Sequence, residues 1–129
     1  MSLSVAEIRQ VLKEINQRAA GEPVRRIYQV DFDTVVIRLR RESLWLSVHP
    51  KASRLFLRPN GEKRIPVGSF AQLLRRRLEG TRFESVTQPD DDRAVRLQVR
   101  GPRLPLALVA ELTGRHGNLF LLEDEAILA

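Results

Sequence analysis

A chain of 129 residues, 43% hydrophobic and 29% charged, has the size of one domain with a real core and is too apolar to remain disordered. It contains no cysteine, which excludes disulfides and thiolate-ligated zinc, and its two histidines, His49 and His116, stand too far apart in sequence to suggest a structural metal site. The net charge of +6 favours a polyanionic partner, and with only three lysines (Lys13, Lys51, Lys63) among 22 basic residues it is carried by arginine, whose planar donor fork suits phosphates and stacks on bases.

Ser4-Val-Ala-Glu7 reads as a capping box opening a helix of roughly four turns. Val5, Ile8, Leu12, Ile15 and Ala19 mark its apolar face, and Gly21 and Pro23 end it. Strands follow in a row: Val24 to Val30, then Val35 to Leu39, then Leu44 to Val48, where Val35, Ile37, Leu39 and Leu44, Leu46, Val48 alternate with other residues. Connections this short predict antiparallel neighbours. His49-Pro50 closes the third strand, Arg54 to Leu57 is a short fourth, and Pro59-Asn-Gly-Glu-Lys63 is a turn. Ser69 can cap a second helix that runs to Glu79 and stops at Gly80, with Phe70, Leu73, Leu74 and Leu78 as its buried stripe.

Arg75, Arg76 and Arg77 sit near the end of that helix. They suit the helix dipole as an ordinary solvated helix end, and three in a row equally suit a phosphate-facing patch. Arg82 to Gln88 and Ala94 to Arg100 read as a hairpin joined by Pro89-Asp-Asp-Asp-Arg93. In that connection a carboxylate can hold the Arg93 guanidinium in one orientation or accept from a nucleobase amine. Leu106, Leu108, Ala110 and Leu112 then alternate, and Leu119 to Leu122 form a short apolar run. The intervening Thr113-Gly-Arg-His-Gly-Asn118 carries two glycines suited to a tight turn, and it reads either as an ordinary polar turn or as a hairpin tip that lifts Arg115 and His116 out of a sheet toward phosphates and bases. Glu123-Asp124-Glu125 is a turn, and Ala126 starts another strand. The sum is an α+β fold, a mainly antiparallel sandwich or barrel-like arrangement of roughly eight short strands with two helices. No phosphate-binding glycine loop, zincin helix or nucleophile elbow is present. No apolar run approaches a membrane span and no signal-like start is visible, which points to a cytoplasmic chain.

Several blocks resemble the N-terminal domain of the NFACT family, in that family's order. Gly21 through Arg26-Ile-Tyr-Gln29 resembles its Gly-Gly-Arg-Ile…Lys-Ile-Tyr-Gln, and Leu46-Ser-Val-His-Pro50 with Arg54 resembles Leu-Ser-Ala-His/Asn-Pro-Ser-Tyr-x-Arg. Phe70 with Leu73-Leu-Arg-Arg-Arg-Leu-Glu-Gly80 resembles Met-Phe-Cys-Met-Leu-Leu-Arg-Lys-His-Leu-Glu-Gly. Gln88 with Asp92-Arg93 resembles Gln-x-Gly-Leu-Asp-Arg, and Glu111-Leu-Thr-Gly-Arg-His-Gly-Asn118 resembles Glu-Leu-Met-Gly-Arg-His-Ser-Asn.

The resemblance implies a single NFACT N-terminal-type domain over residues 1–129, expected as part of a longer multidomain protein. Its fold would be like the N-terminal domain of formamidopyrimidine-DNA glycosylases. It also implies a non-catalytic, cofactor-free, monomeric domain of a ribosome-associated quality-control factor. Such factors bind obstructed large ribosomal subunits and recruit tRNA for untemplated tailing of stalled nascent chains, with alanine in bacteria. The family's Asp-Arg pair carries over onto Asp92 and Arg93, and its Gly-Arg-His-x-Asn motif onto Gly114, Arg115, His116 and Asn118. The expected nucleic-acid contacts are therefore Arg75, Arg76, Arg77, Asp92, Arg93, Arg115, His116 and Asn118. Ser4 stands where the family commonly has an Asp, which bears on tRNA engagement. The alternatives are a fibronectin- or fibrinogen-binding adhesin, as the family's older label has it, and a DNA glycosylase. The glycosylase reading lacks its N-terminal proline nucleophile, because Ser2 and Leu3 stand there.

Overall fold

The capping box forms as the sequence requires. In the computed structural model, which describes residues 4–31, 33–48, 54–59, 68–88, 94–101, 105–112, 118–124 and 126–127, helix α1 spans Val5–Ala19. Ser4 Oγ accepts from the Glu7 N–H at 3.2 Å, and Glu7 Oε1 accepts from the Ser4 N–H at 3.0 Å. These bonds, the one from the Ser4 backbone foremost, hold the Glu7 carboxyl below the usual carboxylate range. Its folded value lies below its unfolded one. The group therefore stabilises the fold above the unfolded carboxylate range and loses that contribution as pH falls through the folded value. Glu7→Gln should flatten the acid limb of the stability–pH profile slightly, a change readable by urea unfolding across an acidic pH series. An unaltered limb would mean that the box carries no net charge effect.

Strands β1 (Arg26–Asp31), β2 (Thr34–Arg38), β3 (Glu42–Ser47) and β4 (Arg54–Pro59) form a four-stranded antiparallel sheet in sequence order. Helix α2 (Gly68–Leu78) follows. Strands β5 (Arg82–Thr87), β6 (Ala94–Arg100), β7 (Leu106–Glu111), β8 (Asn118–Glu123) and β9 (Ala126–Ile127) form a five-stranded antiparallel sheet, again in sequence order. The short connections thus give antiparallel neighbours throughout, as expected.

One core joins both sheets and both helices. Ile27, Ile37, Leu44, Val35, Leu46 and Leu55 face inward from the first sheet, and Leu97, Val99, Leu108, Ala110 and Leu121 from the second. Ile8, Leu12, Ile15 and Ala19 meet them from α1, and Leu74 and Leu78 from α2. One edge of each sheet is capped by a side chain. The Asn16 amide of α1 donates to Val86 O and accepts from Val86 N–H, both at 2.8 Å, so it stands in for a strand along β5. Glu79 Oε2 accepts from the Ile27 N–H at 3.0 Å on the outer edge of β1.

Most element ends fall within one or two residues of the sequence reading, and three of the differences have a physical cause. The first strand begins at Arg26, not Val24. Val24 instead donates to Thr81 O at 2.8 Å and accepts from Gly80 N–H at 2.9 Å, while Arg25 N–H already pairs with Arg38 O. The chain therefore crosses from one sheet to the other within two residues, and its apolar pattern is the same on either side of the crossing. Gly80 takes φ +88° and Gly21 takes φ +90°, left-handed conformations that close the two helices at this seam. The second helix begins at Gly68, so Ser69 lies inside its first turn rather than at its cap. Pro59 completes β4 opposite Glu42 instead of opening the turn. It sits at the strand's last position on an edge of the sheet, where its missing N–H breaks no ladder.

Candidate nucleic-acid interface

The register of the five-stranded sheet gathers the two sequence-predicted loops at one end. Thr87 ends β5, Ala94 starts β6, Glu111 ends β7 and Asn118 starts β8. Thr87 is followed by Gln88, whose Nε2 donates to Val5 O at 3.3 Å. Ala94 pairs directly with Glu111, and Glu111 with Asn118. The connection carrying Asp92 and Arg93 and the one carrying Arg115 and His116 therefore leave from neighbouring strands at the same end of one sheet. The start of α1, where Ser4 stands, is tied to that end through Gln88. Asp92, Arg93, Arg115 and His116 themselves lie outside the described residues, as does the side chain of Asn118.

The arginine triplet is elsewhere. Arg77 donates to Glu123 Oε2 at 2.7 Å, and Glu123 is the last residue of β8, paired with Leu106. At about 3.4 Å per residue the length of β8 puts Glu123 roughly 17 Å from the loop-bearing end. Arg75 donates to Glu79 Oε2 at 3.2 Å, the same carboxylate oxygen that caps Ile27. Arg76 is exposed and has no ion-pair partner among the described residues. Two of the three arginines thus brace α2, and Arg76 is the one that has no ion pair among the described residues.

A second surface escaped the sequence reading. On the outer face of the four-stranded sheet, Tyr28 pairs with Val36, Val36 with Trp45 and Trp45 with Phe56, so these four side chains form one row across all four strands. The Trp45 and Phe56 rings are stacked with centroids 5.8 Å apart and planes 14° from parallel. The adjoining row is Arg26, Arg38, Ser43 and Arg58. The Arg58 guanidinium lies 5.5 Å from the Trp45 ring centroid. Arg26 and Arg38, together with Arg25 and Arg40, line an open cleft of about 430 Å³. Alternation within β3 did put Trp45 opposite the core face, but the row exists only through cross-strand register, which no single strand encodes.

The family described as NFACT N-terminal and middle domains matches residues 4–129. The Rqc2 homolog RqcH of Streptococcus pneumoniae serotype 2 is 27% identical over 136 residues, covering 98% of this chain and 25% of that protein. The human ribosome quality control complex subunit NEMF is 29% identical over 127 residues, covering 97% of this chain and 12% of that protein. The chain therefore spans a quarter or less of the length of these curated relatives. Among solved structures, the N-terminal part of the fibronectin/fibrinogen-binding protein of Streptococcus suis superimposes with a TM-score of 0.88 at 23% identity, over 99% of this chain and 52% of that one. At that identity the likeness is one of fold.

Proposed function

The chain belongs to the NFACT family, and on that premise we propose that it is a non-catalytic nucleic-acid-binding domain of a ribosome quality control factor, one that helps hold tRNA on an obstructed large ribosomal subunit for alanine tailing of the stalled chain. The observation that carries this reading is the convergence described above. The Asp92–Arg93 connection, the Arg115–His116 connection and the start of α1 share one end of a rigid sheet, and all three are positions at which the resemblance implies or bears on tRNA contact. The relatives named as Rqc2 homolog and as a ribosome quality control complex subunit support the same partner class. The net charge of +6 supplies the general attraction to a polyanion, and a loop aspartate beside an arginine supplies selectivity within it.

Binding of the chain to tRNA should weaken steeply between about 50 and about 200 mM salt, because each phosphate contact releases condensed counterions. Arg76→Glu should weaken it further and lower the slope of log affinity against log salt by about one unit without changing which RNA is preferred. Fluorescence anisotropy with labelled tRNA measures both. Salt-independent binding would overturn the polyanion reading, and an unchanged slope in Arg76→Glu would leave all three arginines of the triplet as helix-end residues.

A further inference from the structure

We propose that the outer face of the four-stranded sheet is a platform for single-stranded RNA, with bases stacking on Tyr28, Trp45 and Phe56 and phosphates held by Arg26 and Arg38. The partner class rests on the RNA-binding reading above; the surface is separate from the loop-bearing end of the other sheet.

The arginine row carries a cost. Arg26 and Arg38 stand directly opposite one another on β1 and β2, and like charges so placed destabilise an antiparallel pair. Neither has an ion-pair partner among the described residues. Arg25 and Arg40 add to the positive potential of the same cleft. A phosphate seated there would relieve the repulsion, and the guanidinium forks are built to take it in bidentate fashion. The neighbouring row is unusual for an outer sheet face, which is ordinarily polar where water meets it. Here three aromatic rings stand beside the buried Val36, and Tyr28, Trp45 and Phe56 are half-buried, so each leaves part of its surface open.

Aromatic rings beside arginines are the recognition chemistry of single-stranded nucleic acid: every base has a π-face for the rings, and every linkage has a phosphate for the cations. An acidic peptide could answer the arginines as well, and polyglutamate stands for that partner in the test. With strands about 4.8 Å apart, a row across four of them spans roughly 14 Å, enough for two or three bases.

Trp45 is the only tryptophan in the chain, so its emission reports on this surface alone. The test titrates the 129-residue chain with fluorescein-labelled twelve-nucleotide oligouridine and oligoadenosine, reading anisotropy and Trp45 emission together. Saturable binding with matching quenching of Trp45 is expected. Trp45→Ala should weaken binding about tenfold. Arg26→Gln combined with Arg38→Gln alters exposed or half-exposed side chains only; it should lower the salt slope by about 1.4 units, at about 0.7 per single-strand phosphate contact, even if the tryptophan variant folds poorly. Binding without quenching, with both variants behaving as the parent, would overturn the platform and leave the RNA reading intact. So would tRNA binding by a chain that ignores both oligonucleotides. Equal quenching by polyglutamate would overturn it in favour of an acidic protein partner. Failure to bind any of these RNAs would overturn the platform and the RNA reading together.

Discussion

Truncating Leu121 to alanine should destabilise the domain by about 3 kcal/mol, whereas the same truncation one residue on, at Leu122, should cost less than about 1 kcal/mol. Both leucines belong to β8, and successive strand residues point to opposite faces. Leu121 is 0% exposed and pairs with Leu108, also 0% exposed, in the core shared by the two sheets. Its loss leaves a cavity that close-packed neighbours fill only in part. Leu122 pairs with Ala107 on the outer face and is half-buried, so water takes the place of the missing atoms. The expected difference in melting temperature is on the order of 10 °C. Urea unfolding of the two variants at a common m-value measures it directly. Reversed losses, larger at Leu122 than at Leu121, would mean that β8 is shifted by one residue against β7, since a slip of one exchanges the faces.

That pair also marks the limit of what the sequence discloses. Leu106, Leu108, Ala110 and Leu112 recur at every second position with Glu111 on the other face, so one face is legible there, and the structure agrees: all four are buried in the core. In Leu119-Phe-Leu-Leu122 every residue is apolar, so the run announces a strand without announcing its faces. Only pairing with β7 sorts Leu121 inward and Phe120 and Leu122 outward. The start and buried stripe of helix α1 were legible because cap, stripe and terminator are local chemistry. Val24 was misplaced because the seam between the sheets is made of backbone bonds to Gly80 and Thr81, more than fifty positions away, which leave no trace in the local pattern.

The candidate sites divide along the same line. The two loops were visible as Asp-Arg and Gly-Arg-His motifs, yet their gathering at one end follows from the pairing of Ala94 with Glu111 and Glu111 with Asn118. The Arg75–Arg77 triplet looked like one patch in sequence. Glu79 and Glu123 divide it, taking Arg75 and Arg77 into ion pairs and leaving Arg76 to solvent. The aromatic and arginine rows of the first sheet had no motif at all, because their members are drawn from four separate strands.

The protein doubly substituted Asp92→Ala and Arg93→Ala should lose most of the tRNA that co-purifies with large ribosomal subunits, an effect of roughly thirtyfold if one charge-assisted contact of about 2 kcal/mol is removed. Asp92 is the informative half of the pair. A carboxylate facing a polyanion repels it, so at a bulk electrostatic surface its removal would raise affinity. It serves binding only by orienting the neighbouring guanidinium or by accepting from a base amine, and both are selective contacts. Asp92→Ala alone should therefore keep or raise non-specific RNA affinity while lowering the preference for tRNA, and Arg93→Ala should lower both. The framework for this selectivity is the end of the five-stranded sheet, where the 89–93 connection leaves beside the 113–117 connection and the first turn of α1 is tied in through Gln88. If the acid that the resemblance puts at the Ser4 position assists tRNA engagement, the proposed reading lays more of the selective burden on Asp92 in this chain. Restoring the acid as Ser4→Asp, which still serves as a helix cap, should partly rescue tRNA retention in Asp92→Ala but not in Arg93→Ala. A folded double variant that retains tRNA at the parent level would reduce Asp92 and Arg93 to the turn of a hairpin.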